Sequence, residues 1–283
     1  MIAVTGATGQ LGQFVIKHLL QKTPKDRVIA LVRNPEKAKS IQALGIQVRQ
    51  ADYTKPDTLT AALQGVTKLL LISSSEVGQR IVQHQNVINA AKQAGVELIA
   101  YTSLLHANTS PLLLAQEHIE TEAYLKQANV PHVLLRNGWY TENYLASVAP
   151  ALANGGFIGC AKDGKISSAA REDYAEAAVA VLTSEEPQSG KVYELAGDES
   201  YTLAELCAII SKESGKNIPY IDMEESQFVK ALEGAGLPAP LAGVLGNSDT
   251  GASQGGLFDD SHVLSSLIDH PTQSLRQMVK AHL

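Results

Sequence analysis

Apolar residues along this chain fall into short runs separated by stretches of helical period. Ile2–Thr5, Val28–Val32, Ile46–Gln50, Leu69–Ile72, Leu98–Thr102 and Val133–Arg136 predict six strands, most of them Val-, Ile- or Leu-rich enough to be buried on both faces. Between them, helical spacing is clearest at Phe14, Val15, Leu19 and Leu20, and continues through Pro35–Leu44, Thr58–Leu63, Gln79–Ala94 and Ala115–Gln127. Asn34 begins the second of these helices, and Gly45, Gly65 and Gly95 stand where helices end. Strands alternating with helices through short connections predict right-handed crossovers and a doubly wound parallel sheet of order 3-2-1-4-5-6.

The alternation stops near Asn137. Beyond it the pattern predicts an alanine-rich helix over Asp173–Thr183, a strand over Lys191–Leu195, a helix over Leu203–Ser214 and another over Met223–Glu233, starting from Asp222. Gly243–Gly256 holds five glycines with Asn, Ser and Asp, which predicts a long loop, either a lid or disordered. No Pro/Ser linker, repeat or low-complexity tract is present. The fold class is therefore α/β: a Rossmann domain over 1–137 and a smaller C-terminal α/β lobe over 138–283, whose segments can interleave with the sheet. A ligand is expected at the carboxyl ends of the strands, in the cleft between domain and lobe.

Composition narrows the partners. The 283 residues carry a net charge of −6 without a Lys/Arg-rich run, which argues against nucleic acid and anionic membranes. Cys160 and Cys207 stand apart in apolar surroundings, as buried thiols of a reducing cytoplasm do, and not as a metal site or disulfide. Leu69–Ile72 is far too short to cross a bilayer, and the opening strand leaves no leader segment, so a cytoplasmic location is expected. The oligomeric state stays open, a homo-oligomer included.

The opening dozen residues, MIAVTGATGQLG, read as strand, glycine turn and helix, a context that gives the spaced glycines weight. Gly6 permits the tight turn, Gly9 lets backbone approach a ligand, and Gly12 lets the helix pack against the sheet. With Ala7, Thr8, Gln10 and Leu11 they form a loop whose free N–H groups, at the positive end of a helix, suit a diphosphate. Thr8 and Gln10 can add side-chain bonds. At the end of the second strand an acidic residue would select NAD. Here stand Arg33 and, one turn on, Lys37, a planar fork and a point charge for a 2′-phosphate. NADPH is the expected cofactor, with NADH weaker; the alternative is a solvated Arg33. Asp52 and Tyr53 follow the third strand where an adenine would lie, although Asp52 could equally cap the next helix.

GATGQLG (Gly6–Gly12), VRNPEKA (Val32–Ala38) and NGWYTEN (Asn137–Asn143) resemble the NmrA-like branch of the atypical short-chain dehydrogenases. ISSSEVGQR (Ile72–Arg80), YTSLLHA (Tyr101–Ala107) and GGLFDDS (Gly255–Ser261) are similar to its bacterial NAD(P)H:quinone oxidoreductases of type 2, over essentially the whole chain. The resemblance implies reduction of a small-molecule quinone by NADPH without flavin or metal. It makes Gly6–Leu11 the phosphate loop and Arg33 the 2′-phosphate contact. It places Ser73, Ser74 and Ser75 along the cofactor, and Asn137, Gly138, Trp139 and Tyr140 beside the nicotinamide. Asn143 would face the acceptor, and Arg171 would close on the cofactor from the second lobe. Other readings of the same branch are a redox-sensing regulator without catalysis, or an enone or imine reductase.

One departure bears on the chemistry. Typical short-chain dehydrogenases carry Tyr-x-x-x-Lys on the helix after the fifth strand; here Tyr124 is followed by lysine only at Lys126, on another face. That argues against alcohol oxidation or epimerisation. A quinone makes smaller demands, since hydride arriving at its ring leaves a delocalised oxyanion that solvent can protonate. Asn143 suits a donor to that charge, or else caps a helix. Trp139 and Tyr140 offer a stacking platform, or fill the core. His118 and Glu122, one turn apart, could form a shuttle or an ion pair, or serve structure alone. His106 lies near the expected cleft, and Asp259 and Asp260 read as turn residues. Neither a metal-ligand spacing nor a nucleophile elbow is recognised.

Overall fold

The computed structural model describes every residue, Met1–Leu283. In chain order the first half alternates β1 (Ile2–Val4), α1 (Gln10–Lys22), β2 (Val28–Val32), α2 (Lys39–Gln42), β3 (Gln47–Gln50), α3 (Pro56–Ala62), β4 (Lys68–Leu71), α4 (Arg80–Gln93), β5 (Leu98–Leu104), α5 (Leu114–Ala128) and β6 (His132–Asn137). The second half follows with α6 (Thr141–Leu145), α7 (Val148–Asn154), β7 (Phe157–Gly159), α8 (Arg171–Thr183), β8 (Val192–Leu195), α9 (Leu203–Ser214), β9 (Tyr220–Asp222), α10 (Glu225–Gly234), α11 (Ala239–Ser253), α12 (Val263–Ile268) and α13 (Leu275–His282).

The main sheet has the order β3-β2-β1-β4-β5-β6-β8, the expected doubly wound arrangement extended by one strand. β1 pairs in parallel with β2 and β4, and the parallel register of β5 on β6 ends at Leu104 opposite Asn137. Along β8 the bonds advance with the chain: Leu134 N–H reaches Lys191 O, and Gly138 N–H reaches Leu195 O. A separate parallel pair joins β7 to β9.

By density of contacts the chain forms two units. The first comprises Met1–Leu104, Gln116–Asn137 and Arg171–Tyr193; the second comprises Leu105–Ala115, Gly138–Ala170 and Glu194–Leu283. In the first, side chains two apart along a strand share a face. Ala3, Ile29, Leu31, Leu69, Leu71, Ile99 and Tyr101 are thus buried with Leu59 of α3, Leu63 just past its end, Val87 and Ile88 of α4 and Leu125 of α5. Helix α1 packs on α8.

Two expectations are corrected. Gly243–Gly256 is not a loop, because α11 runs through it. A Cβ at Gly246 would lie 2.6 Å from Val229 Cγ2, and one at Gly251 2.7 Å from Leu112 Cδ1, so close packing within the second unit requires glycine at both. Of the five glycines, only Gly255 has positive φ, +81°, and it lies past the helix end. Asp222 ends β9 instead of opening a helix; α10 begins at Glu225.

Candidate active site

Gly6 leaves β1 with φ +58°, a conformation other residues adopt at a cost, and Gly9 N–H closes the turn on Gly6 O at 2.8 Å. Gly9 is the N-cap of α1, with no side chain capping the helix. The N–H groups of Gln10 and Leu11 therefore open the helix beside the exposed Gly9. A Cβ on Gly12 would lie 2.4 Å from Gly6 O and 2.7 Å from Ala7 Cα, so this glycine packs α1 onto the turn itself, not onto the sheet as its spacing suggested. Thr8 is half-buried and its carbonyl accepts from Gln13 Nε2; Gln10 is exposed.

Beside this turn the first unit holds an open cavity of about 520 Å³, lined by Thr8, Arg33, Asn34, Lys37, Gln50, Asp52 and Lys55. Three cations stand there against one carboxylate, a balance that fits a phosphate monoester. Arg33 is mostly exposed and pairs with Glu76 at 2.8 Å. Asp52 does not cap α3, whose N-cap is Lys55; its Oδ1 accepts instead from the Thr54 N–H (3.0 Å) and hydroxyl (2.8 Å). Burial works to raise the Asp52 carboxyl, but the Thr54 bonds together with Lys55 and Arg33 hold it below the usual range. Tyr53 turns its hydroxyl inward, to Ile72 O at 2.8 Å and Thr5 Oγ1 at 2.5 Å.

After β4, the serine segment is fixed by groups that sequence reading passed over. Ser73 N–H bonds Thr102 Oγ1 at 2.8 Å. The Ser74 peptides are gripped at both ends: Ser74 N–H donates to His84 Nε2 at 2.9 Å, and Ser74 O accepts from Arg80 Nε at 2.6 Å. His84 is fully buried and, chiefly by that burial and then by Arg80, pushed down to about 3, so it is neutral. With Nε2 accepting, Nδ1 carries the proton and meets Thr121 Oγ1 at 2.9 Å, and the Thr121 hydroxyl donates to Glu117 O. Glu117 Oε1 takes the N–H groups of Gly78 and Arg80. The available signal was two matched pairs one helical turn apart, Arg80/His84 on α4 and Glu117/Thr121 on α5. Ser75 is exposed.

Asn137 ends β6 buried, and its Oδ1 meets no hydrogen-bond donor of the protein. A buried amide oxygen without a donor is rare, and it fits a ligand that brings its own N–H, as a carboxamide does. In the second unit, Gly138 and Trp139 are buried, and Tyr140 bridges Ala169. Thr141 N–H bonds Ala169 O at 3.0 Å, and its hydroxyl pairs with Ser168 Oγ at 2.7 Å. Asn143 is the third residue of α6, whose N-cap is Tyr140, so it does not cap the helix. It is half-buried.

His118 and Glu122 do not meet as a pair. His118 Nδ1 bonds Tyr101 OH at 2.8 Å, while Glu122 takes Arg136 Nε at 2.9 Å, Arg136 Nη2 at 2.6 Å and Ser103 Oγ at 2.5 Å. Burial first, then Arg80 and His84, push His118 down to about 3, and a neutral ring at that depth is no shuttle. Arg171 heads α8 and groups with the first unit, not the second lobe. Glu172 and Glu176 stand one turn apart on α8, and with His18 their donor atoms lie within 4.8 Å of one another. Lys17 already meets Glu172 at 2.6 Å, which marks an ion-pair cluster joining α1 to α8. Cys160 and Cys207 are buried, free thiols, both pushed up to about 12, first by burial. No helix is long and apolar enough to cross a membrane.

Known proteins match throughout. The model of the NmrA-like family covers residues 1–273. Over all 283 residues the chain is 60% identical to quinone oxidoreductase 2 of Escherichia coli (strain K12), covering 98% of that protein. The solved structure of the NADPH-dependent quinone oxidoreductase of Escherichia coli complexed with NADPH superimposes with a TM-score of 0.97 at 59% identity, over 99% of each chain. Triphenylmethane reductase of Citrobacter sp., complexed with NADP(H), gives 0.95 at 38% identity over 100% of each chain.

Proposed function

The chain belongs to the NmrA-like family, and from that premise we propose that it reduces quinones to hydroquinones by hydride transfer from NADPH, without flavin or metal. The observation that carries this is 60% identity across the entire chain to a quinone oxidoreductase. The cation-lined cavity and the donorless Asn137 Oδ1 fit the cofactor. Bound there, NADPH supplies hydride to the quinone.

The residues divide the work. The N–H groups opening α1, behind Gly6–Gly12, hold the diphosphate. Arg33 and Lys37 take the 2′-phosphate, which makes NADH the weaker donor. Asp52 and Tyr53 flank the adenine edge, and Tyr53 does so through its backbone and ring, its hydroxyl being committed inward. The clamped Ser73–Ser75 segment lines the cofactor. Asn137–Tyr140 flank the nicotinamide, Arg171 adds a cation, and Asn143 donates to the oxyanion that develops on the quinone. Catalysis by this set is positioning plus electrostatic stabilisation. Two free, reduced cysteines are consistent with a cytoplasmic enzyme.

A substrate panel tests the reading. With NADPH in excess, benzoquinone and naphthoquinone should turn over faster than an azo dye, a triphenylmethane dye or an enone. Preference for any of the latter would move the substrate class while keeping the cofactor.

A further inference from the structure

The carboxyl end of β6 is flanked by β5 on one side and β8 on the other. His106, two residues beyond β5, donates its backbone N–H to Glu194 Oε2 on β8 at 2.7 Å. Leu195, the next residue of β8, accepts the Gly138 N–H at 2.8 Å. The loop carrying His106 is therefore tied to the stretch of β8 that holds Gly138, and Gly138 leads into Trp139, Tyr140 and Asn143.

The imidazole is held there by the backbone and by two carboxylates. His106 has φ +50°, a left-handed conformation that costs a residue other than glycine ~1 kcal/mol or more and is concentrated at functional sites. Thr109 and Ser110 N–H groups fix its carbonyl. Nε2 lies 3.1 Å from Asp259 Oδ2, and Nδ1 lies 3.7 Å from Glu194 Oε2, beyond hydrogen-bond distance. Asp259, in the GGLFDDS segment, is itself fixed: its Oδ1 takes the Ser261 N–H and hydroxyl, and its N–H reaches Ser167 Oγ at 3.2 Å. The Asp259 side chain is 9% exposed and the His106 ring 34%. An acid oriented by a buried carboxylate, with one nitrogen left over and access to solvent, is equipped to deliver a proton and recover it.

We propose that His106 protonates the reduced quinone, with Asp259 as the positioning residue that sets its ring. This rests on the quinone-reductase reading. The nicotinamide C–H bond breaks and its hydride, two electrons and one hydrogen, forms the first O–H on a quinone carbonyl oxygen, leaving the hydroquinone monoanion as NADPH becomes NADP⁺. The Nδ1–H bond of the His106 imidazolium then breaks, its electron pair stays on nitrogen, and the proton forms the second O–H. Water returns a proton to Nδ1. The charged groups facing the ring are Glu194 from β8 and Asp259 from the segment after α11.

His106→Asn is the test variant, because asparagine tolerates the left-handed backbone. It should lower kcat ~100-fold, at the low end of what general acid catalysis contributes. NADPH affinity should not change, the loss of kcat toward alkaline pH should disappear, and added imidazole should restore part of the rate. Asp259→Asn should lower kcat less, with an altered pH profile. Independently of turnover, hydroquinone titrated into the protein should shift the ring signals of His106 in NMR spectra. Wild-type activity with unchanged kcat and pH profile in His106→Asn, or ring signals indifferent to hydroquinone, would overturn the proton-donor role alone. A wild-type protein inert toward quinones would overturn the underlying reading, and this role with it.

Discussion

The proposed choice between the two dinucleotides rests on Arg33 and on what it can let go. Its exposed bond to Glu76 is worth at most ~1 kcal/mol, so turning the guanidinium to a 2′-phosphate, as proposed, would cost little. Charge-assisted hydrogen bonds of ~1.5–3 kcal/mol then translate into the expected effect of Arg33→Ala. Its KM for NADPH should rise about 10- to 100-fold while that for NADH barely moves; steady-state kinetics with both coenzymes checks this, and equal shifts would reject the contact. Asn143→Ala should lower kcat about 100-fold at unchanged NADPH affinity, as loss of an oxyanion donor does, and a normal kcat would remove Asn143 from the reaction. The place of Arg33 beside the cavity was legible because it depends on a local position, the end of the second strand. His84 was not, because its partners Ser74 and Thr121 lie on other segments, and the turn spacing of Arg80 with His84 and of Glu117 with Thr121 does not say which helix meets which.

Among the elements, α1 and α11 show glycine in opposite roles. In the turn before α1, Gly9 is exposed at the N-cap, and on the proposed reading Gly9→Val should abolish dinucleotide binding while the circular dichroism stays native. Gly12→Val should instead lower the melting temperature, since its side chain would collide with Gly6 O. In α11, glycines serve helix contact, which is why the segment reads as a loop: low intrinsic propensity was outweighed by packing. The same helix carries Asp249, 4% exposed and raised to about 6, first by burial. Its bonds to Tyr144 OH (3.1 Å) and Cys160 N–H (3.1 Å) only partly offset that. Between its unfolded value near 3.8 and about 6 the folded state binds more protons, so stability should fall as pH rises through this window. Asp249→Asn, whose amide oxygen can take the Cys160 N–H while its NH2 donates to the Tyr144 hydroxyl oxygen, should remove that slope and stabilise the protein at pH 7 by a few kcal/mol, since each tenfold change in proton affinity is worth about 1.4 kcal/mol. Denaturant melts at pH 4.5 and 7 measure it; a variant that is less stable at pH 7 contradicts the assignment.

Across the whole molecule, the alternation of apolar runs and helical periods carried six strands in their proper order, because each buried parallel strand and each amphipathic helix announces itself locally. The addition of β8 beside β6, and the grouping of Arg171–Tyr193 with the first unit, depend on pairings remote in sequence and had no such signal. The strand, glycine turn and helix at the start of the chain, and the placing of Arg33 and Lys37 together, were legible for the same local reason. Which groups meet around His106 was not, since Asp259 and Glu194 are far from it along the chain. Function here comes down to a single hydride transfer from nicotinamide to quinone. It is followed as the loss of NADPH absorbance on adding benzoquinone to flavin-free protein. Oxidation should be steady, one NADPH per quinone reduced, at a rate that added FMN or FAD leaves unchanged. Saturable NADPH binding with no turnover, or turnover that begins only when flavin is supplied, would contradict it.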